Sequence, residues 1–284
     1  MLHINFSGSK QYSYKPVKEI VKSGGYKTVF EPFGGSAVLS VNLKHEGIIE
    51  SAYINDFDGL FDDLPQFIEY KEALVKACIK AGIQKRKTGS FPKIEMDGKV
   101  YPVRESGLTG KERKILQFYA AQIPDRYYRL FGFDNTFTHS AVGSHDRVKL
   151  SDFTYFKTGS GTGAYRKYLK AAQALNRDRL DYRAFLVKHS DKYGRDSLII
   201  ADPPYVSTAQ GQYKTQFTEA QTLELIQALD RSGSDYIFFN HGIERVSGWF
   251  KRLGIKPTIL TETGNSASSA NRKRLDVMAY VKKS

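Results

Sequence analysis

Ser197-Leu198-Ile199-Ile200-Ala201-Asp202-Pro203-Pro204-Tyr205 is the stretch on which the fold turns. Its apolar half is too short for a globular helix and shows no alternation, the pattern of a strand buried on both faces of a parallel sheet. Two consecutive prolines then end any ladder, because neither has an amide proton to give. Asp202-Pro203-Pro204-Tyr205 therefore falls at the carboxyl end of a central strand, where open α/β sheets hold their ligands.

Working outward, Tyr26 to Glu31 is β-prone and breaks into Pro32-Phe33-Gly34-Gly35-Ser36, after which Ala37 to Leu43 has helical character. This is strand, glycine turn, helix. Tyr53-Ile54-Asn55-Asp56 forms a second strand ending in an acid, as in a βαβ unit. Beyond the central stretch, a helix from Thr218 to Leu229 precedes a strand from Ser234 to Asn240, and Leu275 to Val281 makes a last strand. The alternation predicts an α/β fold: a doubly wound, mostly parallel sheet with helices on both faces.

The interval 64–176 is different in kind. It opens with a helix from Phe67 to Ala81 and becomes glycine-rich, basic and aromatic, as in Gln84-Lys85-Arg86-Lys87 and Tyr127-Tyr128-Arg129. Helices are expected from Gly110 to Gln122 and from Gly163 to Leu175, flanking a stretch, Phe131 to Phe156, suited to a hairpin. The expected organisation is one discontinuous domain, 1–63 with 177–284, and a mainly helical lobe containing a hairpin, 64–176, looped out of it.

With 284 residues, 40% of them hydrophobic, the chain can bury a sizeable core and is not a disordered segment. No apolar run nears the roughly 20 residues of a membrane span, and the first residues lack the greasy segment of a signal peptide, so a soluble, cytoplasmic protein is expected. The single cysteine, Cys78, excludes an internal disulfide framework and any cysteine-rich zinc site. Lys and Arg number 43 against 30 Asp and Glu, a formal charge of +13. That excess suits a partner bearing phosphates, with a solvated basic surface as the plain alternative.

The tetrapeptide suits the activation of an exocyclic amine such as that of adenine, whose lone pair is delocalised into the ring. A carboxylate accepting one N–H and the Pro203 carbonyl accepting the other favour a pyramidal nitrogen. A base inside a duplex cannot reach such a site while stacked, so it must be extruded, and Tyr205 offers a face for it. The alternative is a proline turn capping a strand. The glycine turn permits close backbone approach to a ligand but lacks a dinucleotide or Walker spacing. Asp56 is placed to take ribose hydroxyls, or else to cap the helix that follows Gly59. His139 and His145 are isolated in a polar loop, and no metal site is expected.

These segments, in this order, resemble the Dam-like (D12 class) DNA adenine N6-methyltransferases. Phe6-Ser7-Gly8-Ser9-Lys10 looks like the family's opening motif, Glu31 to Ser36 like its cofactor loop, Ile54-Asn55-Asp56 like its ribose-binding strand end, and Asp202 to Tyr205 like its catalytic tetrapeptide. The resemblance implies a Rossmann-like methyltransferase sheet using S-adenosyl-L-methionine. It implies cofactor contacts from Lys10, Glu31, Pro32, Phe33, Gly34, Gly35, Ser36, Asp56, Tyr182 and Asp202, with methyl transfer to N6 of a flipped adenine in double-stranded DNA. Asp202, Pro203, Pro204 and Tyr205 are the implied catalytic set. The stretch from Tyr213 to Thr218 resembles a loop closing over the base.

The insert departs from the family in lacking a Pro-Phe-Gly element beside Phe133 to His139. Its basic residues Arg104, Lys111, Arg126, Arg129 and Arg147 are the expected DNA contacts. The resemblance leans toward GATC-type targets and admits a separate cognate restriction endonuclease as partner. A methyltransferase acting on RNA or a protein amide is the alternative enzyme. A catalytically silent nucleic-acid-binding protein of this fold is the alternative outside enzymes.

Overall fold

The computed structural model describes residues 1–2, 4, 9–80, 93–96, 99–102, 160–206, 217–263 and 275–283. The chain divides into two compact units, one of residues 1, 9–60 and 171–284, the other of residues 2–8 and 61–170. The first unit begins with a 3-10 turn, Gln11–Ser13, followed by α1 (Tyr14–Gly24), β1 (Thr28–Glu31), α2 (Val38–His45) and β2 (Ser51–Asn55). Helix α3 (Leu60–Lys80) runs into the second unit, where β3 (Lys93–Met96), β4 (Lys99–Pro102) and α4 (Ser160–Ala172) lie. The first unit resumes with β5 (Asn176–Asp178), α5 (Tyr182–Lys188), β6 (Ser197–Ala201), α6 (Glu219–Arg231), β7 (Asp235–His241), α7 (Ile243–Arg252), β8 (Thr258–Thr263) and β9 (Leu275–Val281).

Seven strands form one sheet in the order β5-β2-β1-β6-β7-β9-β8. The first five are parallel, and β9 runs antiparallel to both β7 and β8. This is a Rossmann-like α/β sheet, mostly parallel with an antiparallel edge. The chain winds outward from β1 to β2 and β5, then returns to the centre and winds the other way from β6. The reversal falls between β1 and β6, and a crevice for ligands opens at the carboxyl ends of strands at such a switch point.

Burial explains the arrangement. All five residues of β6 are buried, as are the first six of β7, so both strands must be covered on two faces. On one face Phe30, Ile199, Ala201, Tyr236, Phe238, Val277 and Ala279 pack with Phe185 of α5, Leu225 and Ile226 of α6, and Trp249 and Phe250 of α7. Strand alternation sends Val29, Leu198, Ile200, Ile237 and Phe239, all buried, to the opposite face. The helix starts are set locally. Thr218 and Gln221 close a capping box on α6, and Asp181 accepts the Arg183 amide at the start of α5.

The second unit is described by itself. Among its described residues, Phe67 of α3 and Tyr165 of α4 make a ring contact with centroids 5.8 Å apart. Arg166 forks onto Glu72 through two hydrogen bonds of 2.7 Å. Strands β3 and β4 pair antiparallel. Only the two residues Asp97-Gly98 separate them, a dipeptide that favours two-residue hairpins and that the reading of the sequence passed over. The hairpin expected within Phe131 to Phe156 and the helix expected from Gly110 to Gln122 lie outside the described residues.

Candidate active site

The crevice at the switch point is built from the loops that leave β1 and β6. After β1 the backbone must turn sharply beside the end of β2. Gly34 donates its amide to the Asn55 carbonyl at 3.0 Å, and a Cβ on Gly34 would lie 3.0 Å from that same oxygen, so a side chain would crowd the contact. Gly35 has φ of 47° and Ala37, at the start of α2, φ of 49°. A left-handed alanine costs energy that surrounding structure must hold in place, a feature that gathers at functional sites.

Asn55 is the clip that holds this turn. Its Nδ2 donates to the Pro32 carbonyl at 3.1 Å and to the Leu180 carbonyl at 2.8 Å, while its Oδ1 accepts the Leu180 amide at 2.8 Å. One buried side chain thus ties the glycine loop to the segment entering α5. Nothing in the apolar pattern of β2 distinguishes Asn55, although a polar residue at a strand's carboxyl end is a signal that could have found it.

Glu31, the last residue of β1, is buried and accepts the Ser40 amide at 3.0 Å. Burial, with the charge of Asp202 adding to it, pushes its carboxyl up to about 7 against the pull of the Ser40 hydrogen bonds. Asp56 is also buried, and its Oδ1 accepts the Leu60 amide at 2.7 Å, so the helix-capping role is realised at α3. The Asp56 amide donates to the Asp178 carbonyl, fixing the strand end from β5.

Tyr182 opens α5 and stacks on Phe33 of the glycine loop with centroids 5.2 Å apart. Phe217, ahead of α6, lies edge-on to Phe33 at 5.6 Å and tilted against Tyr182 at 5.6 Å. The guanidinium of Arg183 sits 4.6 Å from the Tyr182 ring centroid and is itself forked onto Glu224. Burial pushes the Tyr182 hydroxyl up to about 12. Three aromatic rings therefore line the loop that follows β1.

Across the switch point stands Asp202. Its Oδ2 lies 2.7 Å from Nζ of Lys10, whose side chain is 9% exposed against 25% for Asp202. The ammonium also sits 5.1 Å from the Tyr205 ring centroid and 5.8 Å from that of Phe239 in β7. Tyr205, in turn, packs against His241. The structure therefore brings Lys10, Glu31, Asp202 and Tyr205 together at one end of β1 and β6. Pro203 is buried and Pro204 half-buried between Asp202 and Tyr205.

Arg104, Lys111, Arg126, Arg129 and Arg147 lie outside the described residues, as do Phe6 to Gly8, Tyr213, Lys214, His139 and His145. Among the described residues no three His, Cys, Asp or Glu side chains converge as metal ligands. No described helix is long and apolar enough to cross a membrane.

A glycine turn on one strand of the switch point and Asp-Pro-Pro-Tyr on the other, in a Rossmann-like sheet, is the framework of an amine-directed methyltransferase. Residues 6–127 match the family model of the D12 class N6 adenine-specific DNA methyltransferases, and the match supports an adenine-specific DNA methyltransferase. The matched span takes in Lys10, the glycine turn and Asp56 and stops short of Asp202, which the sheet and the Lys10 ion pair join to it. A comparison with curated proteins finds no match to the chain.

Proposed function

We propose that the chain methylates N6 of an adenine extruded from double-stranded DNA, with S-adenosyl-L-methionine as donor. The observation that carries the reading is the contact of Lys10 with Asp202 at the switch point, where the glycine turn of β1 faces the tetrapeptide of β6.

The residues present fit that donor. Gly34, with no room for a Cβ against Asn55, keeps the turn close to the end of β2, and Glu31 offers a buried carboxylate to a ligand that carries an ammonium and a sulfonium. When bound, S-adenosyl-L-methionine supplies a methyl group activated by positively charged sulfur. Pro32 to Ser36 and Asp56 line its place, and the Phe33, Tyr182 and Phe217 rings offer an apolar, aromatic wall for its adenosine end.

The chain's own work is to bind and orient the acceptor. Lys10 fixes the direction of the Asp202 carboxylate through their ion pair. Asp202 and the Pro203 carbonyl accept the two N–H groups of the adenine amine, which draws its lone pair out of the ring plane. Tyr205 gives the extruded ring a surface to pack on. The basic residues Arg104, Lys111, Arg126, Arg129 and Arg147 hold the duplex by its phosphates, some reaching guanine edges. A GATC-type duplex is the first substrate to try.

Incubation with duplex DNA and labelled S-adenosyl-L-methionine should place label in N6-methyladenine. Cofactor binding with no N6-methyladenine on GATC-containing or mixed-sequence duplexes would exclude adenine in DNA as the acceptor.

A further inference from the structure

The reaction uses Asp202, Pro203 and Tyr205 from β6, yet β7 also reaches the crevice. Strand alternation puts Phe239 and His241 on one face of β7, and both meet the site: Phe239 lies under the Lys10 ammonium at 5.8 Å, and the His241 ring stands 4.2 Å from the Tyr205 ring at 74°. The register explains the meeting. Ala201, the last residue of β6, pairs with Phe238 of β7, so the connection leaving β6 starts beside the last residues of β7.

His241 is itself held firmly. It is the last residue of β7, where it pairs in register with Asp276 of β9. Its amide donates to Oδ1 of the buried Asn240 at 2.9 Å. Gly242 then turns the chain away with φ of 82°, a conformation that a side chain would resist. The imidazole is thus a fixed feature of the sheet, whereas Tyr205 stands on the connection leaving β6.

We propose that His241 is the positioning residue for Tyr205: its ring, set edge-on, fixes the plane against which the extruded base packs. This rests on the base-extrusion reading given above. Tyr205 then has two supports from different parts of the chain, the Lys10 ammonium and the His241 imidazole. A stacking surface already held in one plane loses less freedom when the base arrives. An aromatic pair of this geometry is worth about three- to tenfold in an equilibrium.

The test uses the full-length enzyme and a duplex that it methylates, with 2-aminopurine at the target adenine for fluorescence and adenine there for single-turnover rates. His241→Ala should slow methylation by about fivefold and lengthen the 2-aminopurine lifetime, because the extruded base is less well stacked, with cofactor affinity within twofold of wild type. His241→Phe should restore most of the rate and the lifetime. His241→Leu, similar in volume but without a ring edge, should behave as the alanine variant does, and carries the comparison if His241→Ala fails to fold.

Wild-type rate and lifetime in the folded alanine or leucine variant would overturn the assignment, as would a phenylalanine variant no better than the leucine one. Faster methylation in His241→Ala would also overturn it, since the ring would then obstruct the base. A wild-type enzyme that methylates but leaves both the emission and the lifetime of 2-aminopurine as they are in the free duplex removes base extrusion itself, and this inference with it.

Discussion

Lys10 Nζ and Asp202 Oδ2 stand 2.7 Å apart, an ion pair between the first turn of the chain and the tip of its central strand. The pair is mostly shielded from water, so its geometry has to be good to offset the desolvation of both charges. Removing one partner leaves the other in a poor environment, and for Asp202 that environment includes the buried carboxyl of Glu31.

Lys10→Met should therefore lower turnover strongly, by ~10², by loosening Asp202. Asp202→Ala should cost ~10² or more in turnover with cofactor affinity nearly intact. The double variant Lys10→Met/Asp202→Ala should be hardly slower than Asp202→Ala alone, because the two act as a unit. Single-turnover rates for the four proteins check this; strictly multiplicative losses would mean that the ion pair has no part in turnover.

Glu31 should make the stability of the unliganded enzyme depend on pH. Its carboxyl is pushed from 4.5 up to about 7, so the folded chain holds a proton there that the unfolded chain has released. The associated stability is fully present below the unfolded value and lost as pH rises through the folded one, a fall of about 3 kcal/mol. Glu31→Gln, always neutral, should lack this dependence and gain on wild type between pH 5 and pH 8. Urea unfolding at the two pH values decides it, and parallel behaviour of the two proteins would show that Glu31 ionises normally.

Asn55→Ala should cost roughly 2–3 kcal/mol, since it strands the Leu180 amide and removes two donors from buried carbonyls. Because Pro32 belongs to the glycine turn, cofactor affinity should fall as well. Asn55→Asp, which keeps the acceptor for Leu180 and loses both donors, should fall no less in stability than it gains from that one contact. Denaturant unfolding and calorimetry report the two effects separately; an alanine variant of full stability would remove the clip from the account.

Arg126→Ala and Arg129→Ala should each reduce the salt dependence of DNA binding by about one unit of log–log slope, as expected for the loss of one phosphate contact. Turnover at saturating DNA should change little. An unaltered slope would take these arginines off the DNA.

The sequence revealed most where chemistry and backbone pattern coincide. Ser197 to Ala201 is apolar throughout, and Asp202 to Tyr205 follows it without ambiguity. The last strand, Leu275–Val281, was readable to its ends. By contrast β5, Asn176–Asp178, is three polar residues with no alternation, and it exists as a strand because β2 offers a partner edge. Helix α1 buries Tyr14, Val17 and Val21, a helical spacing that was open to view and went unread.

Within the site, the glycine turn was legible as a turn, and the helix-capping reading of Asp56, open in the sequence beside the ribose reading, is the one its Leu60 contact shows. The contact between Lys10 and Asp202 was not. Nothing local in either segment encodes it; it arises because the fold brings the residue ahead of the first turn, Gln11–Ser13, to the carboxyl end of β6. Asn55 and His241 were missed for the same reason, since their partners at Leu180 and Tyr205 are brought to them by strand register.

The pairing of β1 with β6 also bears on how the enzyme is made. Thr28 pairs with Ser197, so the middle of the sheet joins segments from opposite halves of the chain. During translation the nascent amino-terminal segment must wait, with one edge of β1 bare, until the ribosome has delivered the whole intervening unit. Until then the emerging polypeptide has neither a finished cleft nor a protected border, and that border stays open to pairing with another chain.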